Sequence, residues 1–132
     1  IRRITPDTLA LLIDGRITGV ARAIIIDVRF PYEYGGGHVR GAINVNSFED
    51  LDTMFFGRTT SGSTKRAAAA MHDTALIFHC EFSSHRAPAM AMHLRAQDRI
   101  VNMARYPDVH FPEIYVLEGG YKRFFEEMPH RC

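Results

Sequence analysis

Apolar and polar positions fall into short blocks along this chain, and the period of the blocks changes from one to the next. ITPDTLALLIDG, Ile4 to Gly15, has apolar residues at helical spacing. Thr5 or Asp7 suits its cap, Pro6 its first turn and Gly15 its end. AIIID, Ala23 to Asp27, is a continuous β-branched run, as in a strand buried on both faces. GGGHVRGAINV, Gly35 to Val45, opens with glycines that predict a turn before His38, then becomes strand-like from Ala42 to Val45. Gly57 to Arg66 is polar and aperiodic, which predicts a surface loop, and AAAAMHD after it predicts a short helix.

ALIFH, Ala75 to His79, predicts a second buried strand. Ala87 to Ala104 predicts a helix with Pro88 in its first turn. Its face Ala87, Ala91, Leu94, Asp98 and Val101 is expected to lie on the sheet, and Met90, Met92 and Met103 are expected to pack against neighbours. EIYVL, Glu113 to Leu117, predicts a third strand, followed by a Gly119-Gly120 turn and a helix over YKRFFEE. Strands alternate with helices, so the fold class is α/β, with a mostly parallel central sheet and helices on both faces. Neither a repeat nor a composition break divides residues 1–132, which predicts one domain.

Composition narrows the chemistry. A net charge of +1 gives no general pull toward nucleic acid or a membrane surface, so any basic patch must be local. No apolar run approaches the ~20 residues of a membrane span. The chain opens on Ile1 rather than Met, as an excised domain would. The 2 cysteines, Cys80 and Cys132, are too few for a disulfide framework or a zinc site, so the expectation is a reducing compartment, with no metal and no cofactor.

Cys80 begins the stretch between the second predicted strand and the long helix, and Arg86 ends it after five intervening residues. Ligands of open α/β sheets bind beyond the carboxyl ends of strands. The next helix directs its positive N-terminus and unpaired N–H groups back at this loop. The N–H groups of Glu81, Phe82, Ser83, Ser84, His85 and Arg86 are expected to curl around a tetrahedral oxyanion, with Arg86 closing the ring by a two-pronged contact. The same field favours a thiolate, the form that attacks phosphorus. A structural cysteine is the alternative; an arginine on the same short loop argues for the nucleophile.

HCEFSSHRAPAM, His79 to Met90, resembles the active-site loop of the M-phase inducer phosphatases, dual-specificity phosphatases that activate cyclin-dependent kinases. IIIDVRFPYEYGGGHVRGAINV, Ile24 to Val45, and YPDVHFPEIYVLEGGYKRFF, Tyr106 to Phe125, resemble the same family in the same order. The resemblance implies a rhodanese-like fold. It also implies a metal-free two-step reaction: Cys80 attacks a phosphotyrosine or phosphothreonine, and water hydrolyses the phosphocysteine. Arg86 and the loop N–H groups would hold the phosphoryl oxygens. The implied partner is a phosphorylated cyclin-dependent kinase–cyclin complex, met in the cytoplasm or nucleus by a monomer, through Arg95, Arg99 and Tyr106.

The chain departs from that pattern in places. His85 stands where the family has an acidic residue; it either donates a proton or attracts a second phosphate, or is a plain exposed loop residue. Glu81 either assists the leaving group or orients the loop. Ala87 lacks a hydroxyl after the arginine, and the chain has no Trp for a Trp-Pro-Asp acid loop. For Asp27, Arg29 and Glu33 an acid role is the alternative; the expectation is that they brace the site by pairing with one another and with loop N–H groups. Val28 stands where the family often carries a second cysteine. Two other readings share these residues: an arsenate or antimonate reductase of the same fold, and a non-catalytic phosphate-binding module. A sulfurtransferase is disfavoured, because its loop is one residue shorter.

Overall fold

The computed structural model describes residues 1–57 and 73–132. The predicted loop from Gly57 to Arg66 and the AAAAMHD helix therefore lie almost wholly outside the described residues.

Five strands form one sheet: β1 (Arg2–Ile4), β2 (Arg22–Asp27), β3 (Ile43–Asn44), β4 (Thr74–His79) and β5 (Glu113–Leu117), in the order β1-β5-β4-β2-β3. Every pairing is parallel. β4 is central and buried along its whole length, which explains its unbroken apolar run. β2 runs beside it in register, with Asp27 opposite His79.

Among the described residues, five α-helices cover the sheet: α1 (Pro6–Ile13), α2 (Pro31–Gly35), α3 (Phe48–Phe56), α4 (Arg86–Val101) and α5 (Gly120–Glu127). On one face Ile26, Phe78 and Val116 pack with Leu51 of α3 and Ala87, Ala91 and Leu94 of α4. On the other, Ile25, Ile77 and Leu117 pack with Leu9 and Leu12 of α1 and Phe124 of α5. The expected architecture is the observed one.

The structure corrects several local expectations. Ile4 belongs to β1, and α1 starts at Pro6 with Thr5 as its cap. β1 was not legible, because three residues with two arginines carry no strand pattern. α3 was missed although Ser47 caps it through the Asp50 N–H, a signal present in the sequence. α4 ends at Val101, and Val101 is exposed; Met90 is buried in its place on the sheet-facing side. Met92 and Met103 are exposed rather than packed.

Candidate active site

Residues 80–85 connect the end of β4 to the start of α4, beyond the carboxyl edge of the sheet. Cys80 opens this loop and is only 4% exposed. The loop's carbonyls are claimed from outside. The Cys80 carbonyl accepts the Tyr121 N–H at 2.9 Å and the His79 ring at 3.1 Å. The Glu81 carbonyl accepts the Lys122 N–H, and the Ser83 carbonyl accepts Arg3 Nη1 at 3.1 Å. The N–H groups of residues 81–86 have no acceptor among the described residues. Carbonyls held outward and amides left unpaired make the nest that an oxyanion fills.

Ser83 makes the curl possible. It has φ +57, uncommon for a residue with a side chain, and is buried with no partner for its Oγ. Gly120 lets α5 close on the loop: at φ +65, an added Cβ would stand 2.6 Å from the Cys80 carbonyl oxygen and against that of Glu81. The Gly119-Gly120 pair thus does more than turn the chain.

His79 is fully buried at the end of β4. A carbonyl can only accept, so the ring donates from Nδ1 to the Cys80 oxygen, and Nε2 is left without a partner. Burial holds the His79 pKa below the usual histidine value, against the pull of Asp27, so the ring is neutral near pH 7.

Of the expected brace, Asp27 and Arg29 pair, but Glu33 pairs with Arg86 instead of joining them. Among the described residues none of the three takes a backbone N–H of residues 81–86; the Asp27–Arg29 pair reaches other elements instead. Arg29 Nε and Nη2 grip the buried Asp27 carboxylate, with Nη2 at 2.7 Å from Oδ2. Nη1 reaches Glu81 at 3.3 Å, Nη2 also donates to the Gly37 carbonyl, and the Tyr121 ring lies 4.1 Å from Cζ. Asn44 Nδ2 donates to the carbonyls of Asp27 and Arg29. Glu81 is therefore engaged with Arg29.

Arg86, the first residue of α4, donates Nη1 to Glu33 Oε2 at 3.2 Å and lies over the Phe30 ring. Glu33 also accepts the Phe30 N–H at 2.8 Å. Burial opposes both charges. The Phe30 N–H on Glu33 and the mutual contact outweigh it, so Arg86 stands above and Glu33 below its ordinary pKa. Beside Arg86 opens a mostly apolar pocket of about 270 Å³, lined by Val28, Phe48, Ala89 and Met90.

A family model for the rhodanese-like domain matches residues 5–127. The chain belongs to the rhodanese-like family. It is 43% identical over 133 aligned residues to the M-phase inducer phosphatase of Schizosaccharomyces pombe, covering all of this chain and 21% of that protein. It is 44% identical over 135 residues to M-phase inducer phosphatase 1-B of Xenopus laevis, covering all of this chain and 23% of that protein. The chain thus spans about a fifth of the length of these curated relatives. Among solved structures, a yeast protein tyrosine phosphatase of the rhodanese family superposes with a TM-score of 0.66 at 24% identity, over 95% of this chain and 84% of that one. That likeness speaks to the fold.

In this rhodanese-like domain the remaining predicted site residues are scattered. Phe82, Ser84 and His85 are exposed on the loop, and His85 precedes α4 without capping it. Arg95 and Arg99 line a groove with Arg3 on the edge of the sheet. Tyr106 is 86% exposed and does not line that groove. Asp98, expected on the sheet-facing side, is buried there and accepts the N–H groups of His110 and Phe111, both at 2.8 Å. Sequence reasoning missed Arg3, Asn44, Tyr121 and Gly120 as parts of the site, because each reaches it from a distant element.

Proposed function

We propose that this domain is a cysteine-dependent dual-specificity phosphatase acting on the phosphotyrosine and phosphothreonine of a cyclin-dependent kinase in its cyclin complex, and so activating it in the cell cycle. The observation that carries this reading is the loop itself: carbonyls held outward, unpaired amides over residues 81–86, Cys80 at its start and Arg86 at its end. The similarity to M-phase inducer phosphatases over the whole chain supports the same reading.

Cys80 Sγ attacks phosphorus while the P–O bond to the substrate side chain breaks. The departing oxygen takes a proton, and water then cleaves the phosphocysteine to inorganic phosphate. Arg86 and the loop amides hold the equatorial oxygens as charge gathers on them. Glu81 is tied to Arg29, which leaves exposed His85 as the loop side chain free to deliver the proton. Arg95, Arg99 and Tyr106 engage the kinase away from the cleft. The setting is the cytoplasm or nucleus.

The test compares wild type with Cys80→Ser and Arg86→Lys on a doubly phosphorylated kinase–cyclin complex. Cys80→Ser should abolish phosphate release yet keep oxyanion binding, because the amides and Arg86 survive. Arg86→Lys should lose at least about a hundredfold in kcat, since an ammonium cannot supply the planar pair of donors. Cys80→Ser turnover within about tenfold of wild type sinks the covalent mechanism. Arsenate-dependent thiol oxidation without phosphate release would assign the reductase reading instead.

A further inference from the structure

β1 brings an arginine to the loop from the edge of the sheet, two strands away from β4. Its side chains alternate between the two faces. Ile4 packs with the cluster on the α1 and α5 face, so Arg3 lies on the face that α4 covers. From there Arg3 Nη1 donates to the carbonyl of Ser83 at 3.1 Å, 80 residues away in sequence. Arg2 is turned elsewhere: its guanidinium lies over the Tyr115 ring and pairs with Glu113. Among the described residues, the Ser83 carbonyl is the one acceptor of the Arg3 guanidinium.

The carbonyls held out of the loop are not held alike. Those of Cys80 and Glu81 take backbone N–H groups of α5, from Tyr121 and Lys122. That of Ser83 is held by a side chain, so one substitution can release it. Ser83 is also where the loop most needs a hold. Its φ of +57 lies in the left-handed region, which a residue with a side chain keeps only where its surroundings impose it. Its own hydroxyl is buried without a partner and supplies no polar anchor. The Ser83 carbonyl and the Ser84 N–H belong to one trans peptide and point in opposite directions. Anchoring the oxygen outward therefore turns the Ser84 N–H toward the centre of the loop. Once released, that peptide can turn over and set a carbonyl oxygen where an anion must sit. A charged donor also polarises the peptide it bonds, which makes the N–H at the far end a stronger donor.

We propose that Arg3 is a positioning residue for the Cys80–Arg86 loop: by holding the Ser83 carbonyl it keeps the Ser84 N–H in the ring of amides and strengthens it as a donor to a phosphoryl oxygen. Arg3 acts through the loop backbone and not on the phosphoryl group itself. Its effect falls on oxyanion affinity, and on the transition state whose equatorial oxygens the same amides hold. This role rests on the reading of residues 81–86 as an oxyanion nest.

Tungstate binding, followed by calorimetry and by backbone amide chemical shifts, tests this without turnover. In wild type, tungstate should move the Ser84 amide. Arg3→Met should weaken tungstate about tenfold, the scale of one charge-assisted hydrogen bond, and shrink the Ser84 response. The Tyr121 and Lys122 amides, which hold the other two carbonyls, should keep their shifts. Arg3 is exposed and its strand pairs with β5 through the main chain, so the variant should keep its fold. Arg3→Gln, polar and too short to reach the carbonyl, should fall with Arg3→Met and guards against misfolding of the apolar variant. Arg3→Lys, whose ammonium can still donate to the carbonyl, should stay within about threefold of wild type. Arg2→Met removes the same charge one residue away and should change tungstate affinity less than about twofold. Tungstate affinity unchanged in Arg3→Met and Arg3→Gln overturns the proposal. Equal losses in Arg2→Met and Arg3→Met also overturn it, because net charge then accounts for the effect. Wild type that takes no tungstate overturns the nest itself and this role with it, a result distinct from any behaviour of the Arg3 variants.

Discussion

Arg29 and His79 show how much of the site rests on side chains that never meet a substrate. Arg29 joins the end of β2, Glu81 of the loop, the Gly37 turn and α5 through one buried guanidinium. His79 contributes a neutral ring whose single proton is committed to the Cys80 carbonyl. That commitment sets a pH dependence. The folded-state pKa lies below the unfolded value of about 6.5, so above that pH neither state is protonated and the group is silent. Below it the unfolded chain takes a proton that the native ring refuses, and stability falls as the pH falls. His110, also depressed by burial, acts in the same direction. Urea unfolding at pH 7.5, 6.5 and 5.5 should show this loss, with His79 contributing up to about 1.4 kcal/mol per pH unit. In His79→Asn, whose amide can still donate to the carbonyl, that contribution should vanish. An unchanged pH slope in the variant would place the titrating group elsewhere.

The loop and α5 act as a pair of elements. Two amides of α5, from Tyr121 and Lys122, take the carbonyls of Cys80 and Glu81. This approach is possible only because Gly120 has no side chain. Gly120→Ala should push α5 off the loop, and a displacement near 1 Å costs about a hundredfold in kcat. Gly119→Ala is the control: its φ is also left-handed, but the added methyl meets Arg123 of α5, 2.6 Å from its Cβ, and not the loop. It should lose roughly 1–2 kcal/mol of stability from backbone strain, more with the Arg123 contact, and far less activity. Steady-state kinetics on an aryl phosphate beside thermal melts would separate the two, and equal activity losses would remove Gly120 from the positioning of the loop. The sequence placed a turn at these glycines. It carried no sign that the second one touches the active-site loop.

Across the whole molecule, the sheet separates the two cysteines. Cys80 packs with residues on the α3 and α4 face, whereas Cys132 packs against the opposite cluster, where its sulfur contacts Tyr121 and the Met128 carbonyl. Peroxide should therefore carry Cys80 past the sulfenic acid without forming a Cys80–Cys132 disulfide. Val28 follows Asp27 and lies beside Cys80, since Asp27 pairs with His79 on the adjacent strand. Neighbouring strands stand roughly 4.8 Å apart, within the Cα range a disulfide spans. Val28→Cys should thus gain oxidation that reductant reverses, read by intact mass and recovered activity; a dominant Cys80–Cys132 bond in wild type would contradict this. The local features were legible in the chain: strands and helices from their periods, the parallel sheet from their alternation, and the Cys80–Arg86 loop from its place between β4 and α4. These depend on residues within a few positions of one another, so period and spacing encode them. The short edge strand β1, the reach of Arg3 to Ser83, of Arg29 to Glu81 and of Gly120 to the Cys80 carbonyl were decided by the tertiary structure. Each joins residues far apart in sequence, and strand order and register alone bring them together; no local pattern of apolar and polar residues contains that order.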